Sequence, residues 1–82
     1  MKRILKYTPI PPNGHTPKVV RGKPIFAAMQ NGHVTVWCEE YDEEFAQYEE
    51  SKLVFLGTGQ DYEGQHLFTV EDGPWIWHII KV

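Results

Sequence analysis

Lys23–Glu40, KPIFAAMQNGHVTVWCEE, decides the fold, because two apolar-rich runs flank the dipeptide Asn31-Gly32. Asn-Gly tolerates the positive φ that a two-residue type I′ turn requires at both central positions, so the stretch is predicted to be a β-hairpin. A two-residue turn fixes the register: Gln30 faces His33, Met29 faces Val34, Ala28 faces Thr35, Ala27 faces Val36, Phe26 faces Trp37 and Ile25 faces Cys38. Side chains alternate across a strand, which makes Ile25, Ala27, Met29, Val34, Val36 and Cys38 one wholly apolar face. A core requires that face. The other carries the Phe26–Trp37 pair and a polar end at Gln30 and His33, and it is the first place to look for a ligand.

Towards the N-terminus, Arg3–Thr8 alternates as a short strand, expected at a sheet edge because of its lysine and the proline that follows. Pro9–Pro17 holds four prolines in nine residues and reads as an extended loop, with His15 as a solvated side chain on it. A short strand, Lys18–Arg21, then leads through Gly22 into the hairpin.

Towards the C-terminus the period changes. Tyr41, Phe45 and Tyr48 recur at i, i+4 and i+7, a spacing that admits a short helical turn within the acidic stretch Glu39–Glu50. Lys52–Leu56 reads as a strand ended by Gly57-Thr58-Gly59, a glycine pair whose backbone can approach an anion closely. No Gly-Lys-Ser/Thr and no helix pattern follow, so neither the P-loop nor the dinucleotide fingerprint is met. Gln65–Val70 and Trp75–Val82 read as a second hairpin. Because Pro74 lacks an N–H, a four-residue loop is expected there, pairing Val70 with Trp75, Phe68 with Trp77 and His66 with Ile79. In that register His66 and His78 lie on opposite faces. The whole pattern is that of an all-β, mainly antiparallel sandwich or barrel of six or seven short strands in one domain.

Composition bounds the function. A chain of 82 residues forms a single small core, and apolar residues on both hairpin faces lead us to expect a homo-oligomer. The single cysteine excludes an internal disulfide and suits a reducing compartment. No stretch has the continuous apolar length of a membrane span or signal peptide, so no membrane partner is expected. Lys2, Arg3, Lys6, Lys18, Arg21 and Lys23 fall in the first 23 residues with no acid among them, whereas Glu39, Glu40, Asp42, Glu43, Glu44, Glu49 and Glu50 fall in twelve residues with no base. Either the two ends meet in the fold, or the bases meet phosphates and the acids a basic surface. With a net charge of −3, specific duplex DNA binding is not expected. No two histidines have a metal-ligand spacing, Ser51 has no flanking glycines, and no cofactor motif occurs, so binding is expected in place of catalysis.

Lys6-Tyr7, Gln30-Asn31-Gly32 with Trp37 five positions on, Gly57-Thr58-Gly59, and Gly73-Pro74-Trp75-Ile76-Trp77-His78 together resemble a family of small uncharacterised proteins encoded in phage and prophage genomes. The resemblance spans Lys6 to His78 and departs at the proline-rich stretch and the acidic insert. It implies a phage accessory protein in the host bacterial cytoplasm, of a kind that commonly disarms a bacterial defence system. Two expectations of function follow. In the first, Phe26, Gln30, His33 and Trp37, with Gly57, Thr58 and Gly59, hold and sequester a nucleotide-derived signal: rings stack on a base and backbone N–H groups meet phosphates. In the second, Tyr41, Glu43, Glu44 and Tyr48 present an acidic surface that blocks a bacterial host protein or mimics nucleic acid.

Overall fold

The computed structural model describes residues 1–41 and 49–82. Seven strands form in chain order: β1 (Lys2–Tyr7), β2 (Lys18–Arg21), β3 (Lys23–Gln30), β4 (His33–Tyr41), β5 (Glu50–Gly57), β6 (Gln65–Asp72) and β7 (Trp75–Lys81). They make two antiparallel sheets, one of order β1-β4-β3 and one of order β2-β5-β7-β6. The result is a small β-sandwich, with no helix among the described residues. Tyr41 ends β4 as strand. The remainder of the expected helical turn, with Glu43, Glu44 and Tyr48, lies outside the described residues.

The β3–β4 hairpin has the expected turn, with φ of +51° at Asn31 and +79° at Gly32. Its register also holds from Gln30–His33 to Phe26–Trp37. Beyond that pair a bulge intervenes, and Pro24 instead of Ile25 lies opposite Cys38. Pro24 has no N–H for the ladder, so the bulge falls where pairing is already weakened. Ile25 consequently leaves the apolar face and is exposed. The rest of that face does what a core requires: Val34, Val36 and Cys38 are buried, and Ala27 and Met29 pack against them. From the opposite sheet come Val20, Leu53, Val70 and Ile79. In β5 the continuous run Leu53–Leu56 is explained by burial on both faces, since Val54 and Leu56 join Ile80 in a second cluster.

The proline-rich segment is tied down despite its composition. Between Pro9 and Asn13 only Ile10 and Asn13 carry an N–H, and both are used: Ile10 donates to the Val34 carbonyl at 2.8 Å and Asn13 to the Phe55 carbonyl at 2.8 Å. Phe55 N–H donates in turn to the Pro11 carbonyl at 2.9 Å. The segment thus straps one sheet to the other, with the Ile10 side chain driven into the core at 1% exposure.

Charge separation along the chain is reconciled by β1–β4 pairing. Lys2 lies 3.7 Å from Glu39, and Arg3 pairs with the buried Glu40, its Nε donating to Oε1 at 2.6 Å. Arg21 and Glu50 are register partners in β2 and β5. The basic and acidic ends therefore meet within the sheets.

Candidate ligand-binding site

The terminal hairpin corrects the expected register. Asp72 pairs with Trp75, Val70 with Trp77 and Thr69 with His78, so the loop has two residues, Gly73-Pro74. Closing such a turn needs the N–H of the residue after it, here Trp75, and Pro74 has no bond to lose. Gly73 at φ +56° followed by a proline matches the φ pattern of a type II′ turn. Two consequences follow. Asp72 now reaches Trp77 and accepts a hydrogen bond from its Nε1 at 3.1 Å. A further bulge between His66 and Phe68 sets His66 opposite Ile80, on the same face as His78.

On β7 the rings of Trp75 and Trp77, two residues apart on one face, stack with centroids 6.4 Å apart and planes at 20°. Trp77 is met edge-on by Phe55 at 5.2 Å and packs against the core, which fixes its orientation. The three rings form a ladder from core to solvent, ending in Trp75 at 62% exposure. Concavities adjoin the ladder. One, of about 390 Å³, lies where the proline strap, the β3–β4 turn and the β6–β7 hairpin converge, and is walled by Pro9–Pro12, Met29, His33, Phe55 and Trp77, with Asp72 as its carboxylate. Another, of about 460 Å³, runs between Trp75, Trp77 and Pro74 on one side and Gly57, Thr58 and Gln60 on the other. Both fall in the size range of small-molecule sites.

The residues expected to form one site are divided among three places. Phe26 and Trp37 do form a pair, at 5.5 Å and 49°, but on the outward face of the three-stranded sheet. His33 belongs to the strap groove, while Gln30 stands opposite it in the hairpin. Gly57 ends β5 and Thr58 and Gly59 follow in the β5–β6 loop; Gly57 and Thr58 lie beside the tryptophan ladder, and all three lie beside His66 and His78. The amide of Gly57 is not free to cradle an anion: it donates to Gln60 Oε1 at 2.7 Å, and the Gly57 carbonyl accepts from Gln60 N at 3.2 Å. Tyr41 sits at the end of β4 with the Lys2 ammonium 5.1 Å from its ring.

A family described as a domain of unknown function (DUF7352) matches residues 1–82. The chain belongs to this family. No curated protein and no solved structure matches it. In this DUF7352 chain the residues missed by sequence reasoning are Phe55, Asp72, Trp75 and Trp77. The signals differ: a two-residue Gly73-Pro74 connection brings Asp72 within reach of Trp77, the i, i+2 spacing puts Trp75 and Trp77 on one face of β7, and Phe55 follows only from the β5–β7 pairing.

Cys38 is inert by its surroundings. Burial first, and the neighbouring Glu40 carboxylate second, push its thiol up to about 11.

Proposed function

We propose that the protein is a non-enzymatic binding protein that sequesters a nucleotide-derived small molecule, stacking its base on the Trp75–Trp77 ladder. The observation that carries this reading is an indole left 62% exposed yet held in a stack from below. A further flat ring laid on such a platform gains on the order of 1–3 kcal/mol, and every nucleobase has the required π face. Asp72, the cross-strand partner of Trp75, keeps lone pairs beyond the one that Trp77 uses, and these accept the N–H donors of a base edge. Among the described residues, neither concavity beside the ladder is lined by Lys or Arg. Recognition is therefore through the base, with phosphates left to solvent.

In this reading the protein is a phage accessory protein of the bacterial cytoplasm that disarms a defence system by removing its signal. The motif resemblance supports that setting. The alternative, an acidic blocker of a host protein, loses support at its described end, where Glu39 and Glu40 are engaged by Lys2 and Arg3. We place self-association on the outward face of the three-stranded sheet, where Ile4 and Phe26 are 60% and 58% exposed.

Calorimetric titration with mono-, di- and cyclic nucleotides tests the reading. Trp75→Ala should weaken binding by about tenfold or more, as loss of one stacked base implies, and Trp37→Ala should leave it within about twofold. A preserved far-UV spectrum is the control for folding. Absence of binding to every nucleotide at millimolar concentration would overturn the proposal.

A further inference from the structure

The outer face of the β6–β7 hairpin carries a second constellation, separate from the tryptophan ladder. His66 Nε2 lies 3.2 Å from His78 Nδ1 and 3.1 Å from Thr69 Oγ1, and Thr69 Oγ1 lies 3.4 Å from His78 Nδ1. Three donor atoms from three residues thus form a nearly equilateral triangle. Ligands about 2.1 Å from a common ion stand about 3.0 Å apart at a right angle and about 3.4 Å apart at the tetrahedral angle. The triangle has the dimensions of one face of a coordination sphere.

We propose that His66 Nε2, His78 Nδ1 and Thr69 Oγ1 bind one divalent transition-metal ion of the Zn²⁺, Ni²⁺ or Cu²⁺ class, the ions that imidazole nitrogen favours. The outer nitrogen of His78 has a partner of its own. His78 Nε2 lies 2.9 Å from Thr58 Oγ1, and in the tautomer that donates Nε2–H to that hydroxyl, Nδ1 carries the lone pair a metal needs. Ligand histidines are held in tautomer and orientation by such a partner. The β6 bulge supplies the geometry: in an unbulged ladder Leu67 would pair with Ile80, and His66, opposite Lys81, would point to the other face from Thr69 and His78. Above the triangle a concavity of about 370 Å³, bordered by Gly57, Gly59 and Tyr62, leaves room for water or an anion as a further ligand. Among the described residues no group of three or more His, Cys, Asp and Glu is placed to hold a metal, so the two imidazoles are the strong ligands here and the Thr69 hydroxyl a weak third.

The test is titration of the untagged full-length protein with ZnCl₂, NiCl₂ and CuCl₂, followed by calorimetry and by the imidazole resonances in NMR. One ion per chain should bind, with the His66 and His78 ring signals shifting and those of His15 and His33 unmoved. His66→Asn and His78→Asn should each weaken binding at least tenfold, and Thr58→Val should weaken it severalfold while leaving every proposed ligand in place. His66 is exposed, so its replacement keeps the test valid if the His78 variant does not fold. No binding of any of the three ions at 1 mM total metal, roughly a thousandfold above an ordinary micromolar site, would overturn the proposal. Binding that survives both histidine replacements would overturn it equally.

Discussion

Two glycines with positive φ separate conformational strain from steric collision. At Gly32, with φ +79°, a Cβ would meet nothing within 4 Å, so Gly32→Ala should cost about 1 kcal/mol from backbone conformation alone. In a domain of this size that lowers Tm by roughly 4–8 °C. At Gly22, with φ +88°, a Cβ would also collide with the Glu39 carbonyl and Glu40 Cβ, on backbone that is paired and cannot move aside. Gly22→Ala should therefore cost clearly more than Gly32→Ala in denaturant titrations; equal costs would show that the β2–β3 junction yields. Cys38 gives a pH signature with a definite sign. Its folded-state thiol is raised from 9.0 to about 11, so its contribution is complete below pH 9 and is lost as pH rises towards 11. The stability advantage of the wild type over Cys38→Ala should shrink across that window. A difference independent of pH between 8 and 11 would contradict the assignment.

At the scale of elements, the proline strap behaves as part of the sheet structure although its sequence reads as loop. Ile10 is 1% exposed and its N–H bonds to Val34, so Ile10→Ala should cost about 2–4 kcal/mol, the range of a large core truncation. A cost below 1 kcal/mol in urea unfolding would mean that the strap is not anchored by this side chain. The strap was not legible because its burial arises from a single apolar residue among prolines, with no period to detect. Strand positions were legible because alternation and turn chemistry agreed, as in Met29–Val34 across Asn31-Gly32. Candidate-site residues were legible only in part. Phe26 and Trp37 were placed together correctly, and the i, i+2 spacing of Trp75 and Trp77 already puts both on one face of β7, yet the Asp72–Trp77 bond and the His66–Thr69–His78 triangle depend on two registers in β6–β7. One follows from the Gly73-Pro74 turn and the other from a bulge. No residue in Gln65–Phe68 announces a bulge, since neither glycine nor proline stands there.

For the whole molecule, assembly and ligand capture are separate predictions. The outward face of the three-stranded sheet leaves Ile4 and Phe26 in solvent, and light scattering at tens of micromolar should give at least a dimer mass. Phe26→Lys should shift it to monomer, with the far-UV spectrum preserved because Phe26 lies outside the buried core. A strictly monomeric wild type would remove the assembly proposal and leave the binding site untouched. The central claim, that the exposed stack on β7 captures a nucleobase, is tested most directly by the indole N–H resonances. The protein has 3 tryptophans, and they report two places: Trp37 the outward sheet face, Trp75 and Trp77 the ladder. Titration of nitrogen-15-labelled protein with nucleotide-derived signals should shift the Trp75 and Trp77 indoles, with ring-current changes largest at Trp75, and leave Trp37 in place. A ligand that shifts Trp37 alone, or no indole shift at millimolar nucleotide, would contradict the account.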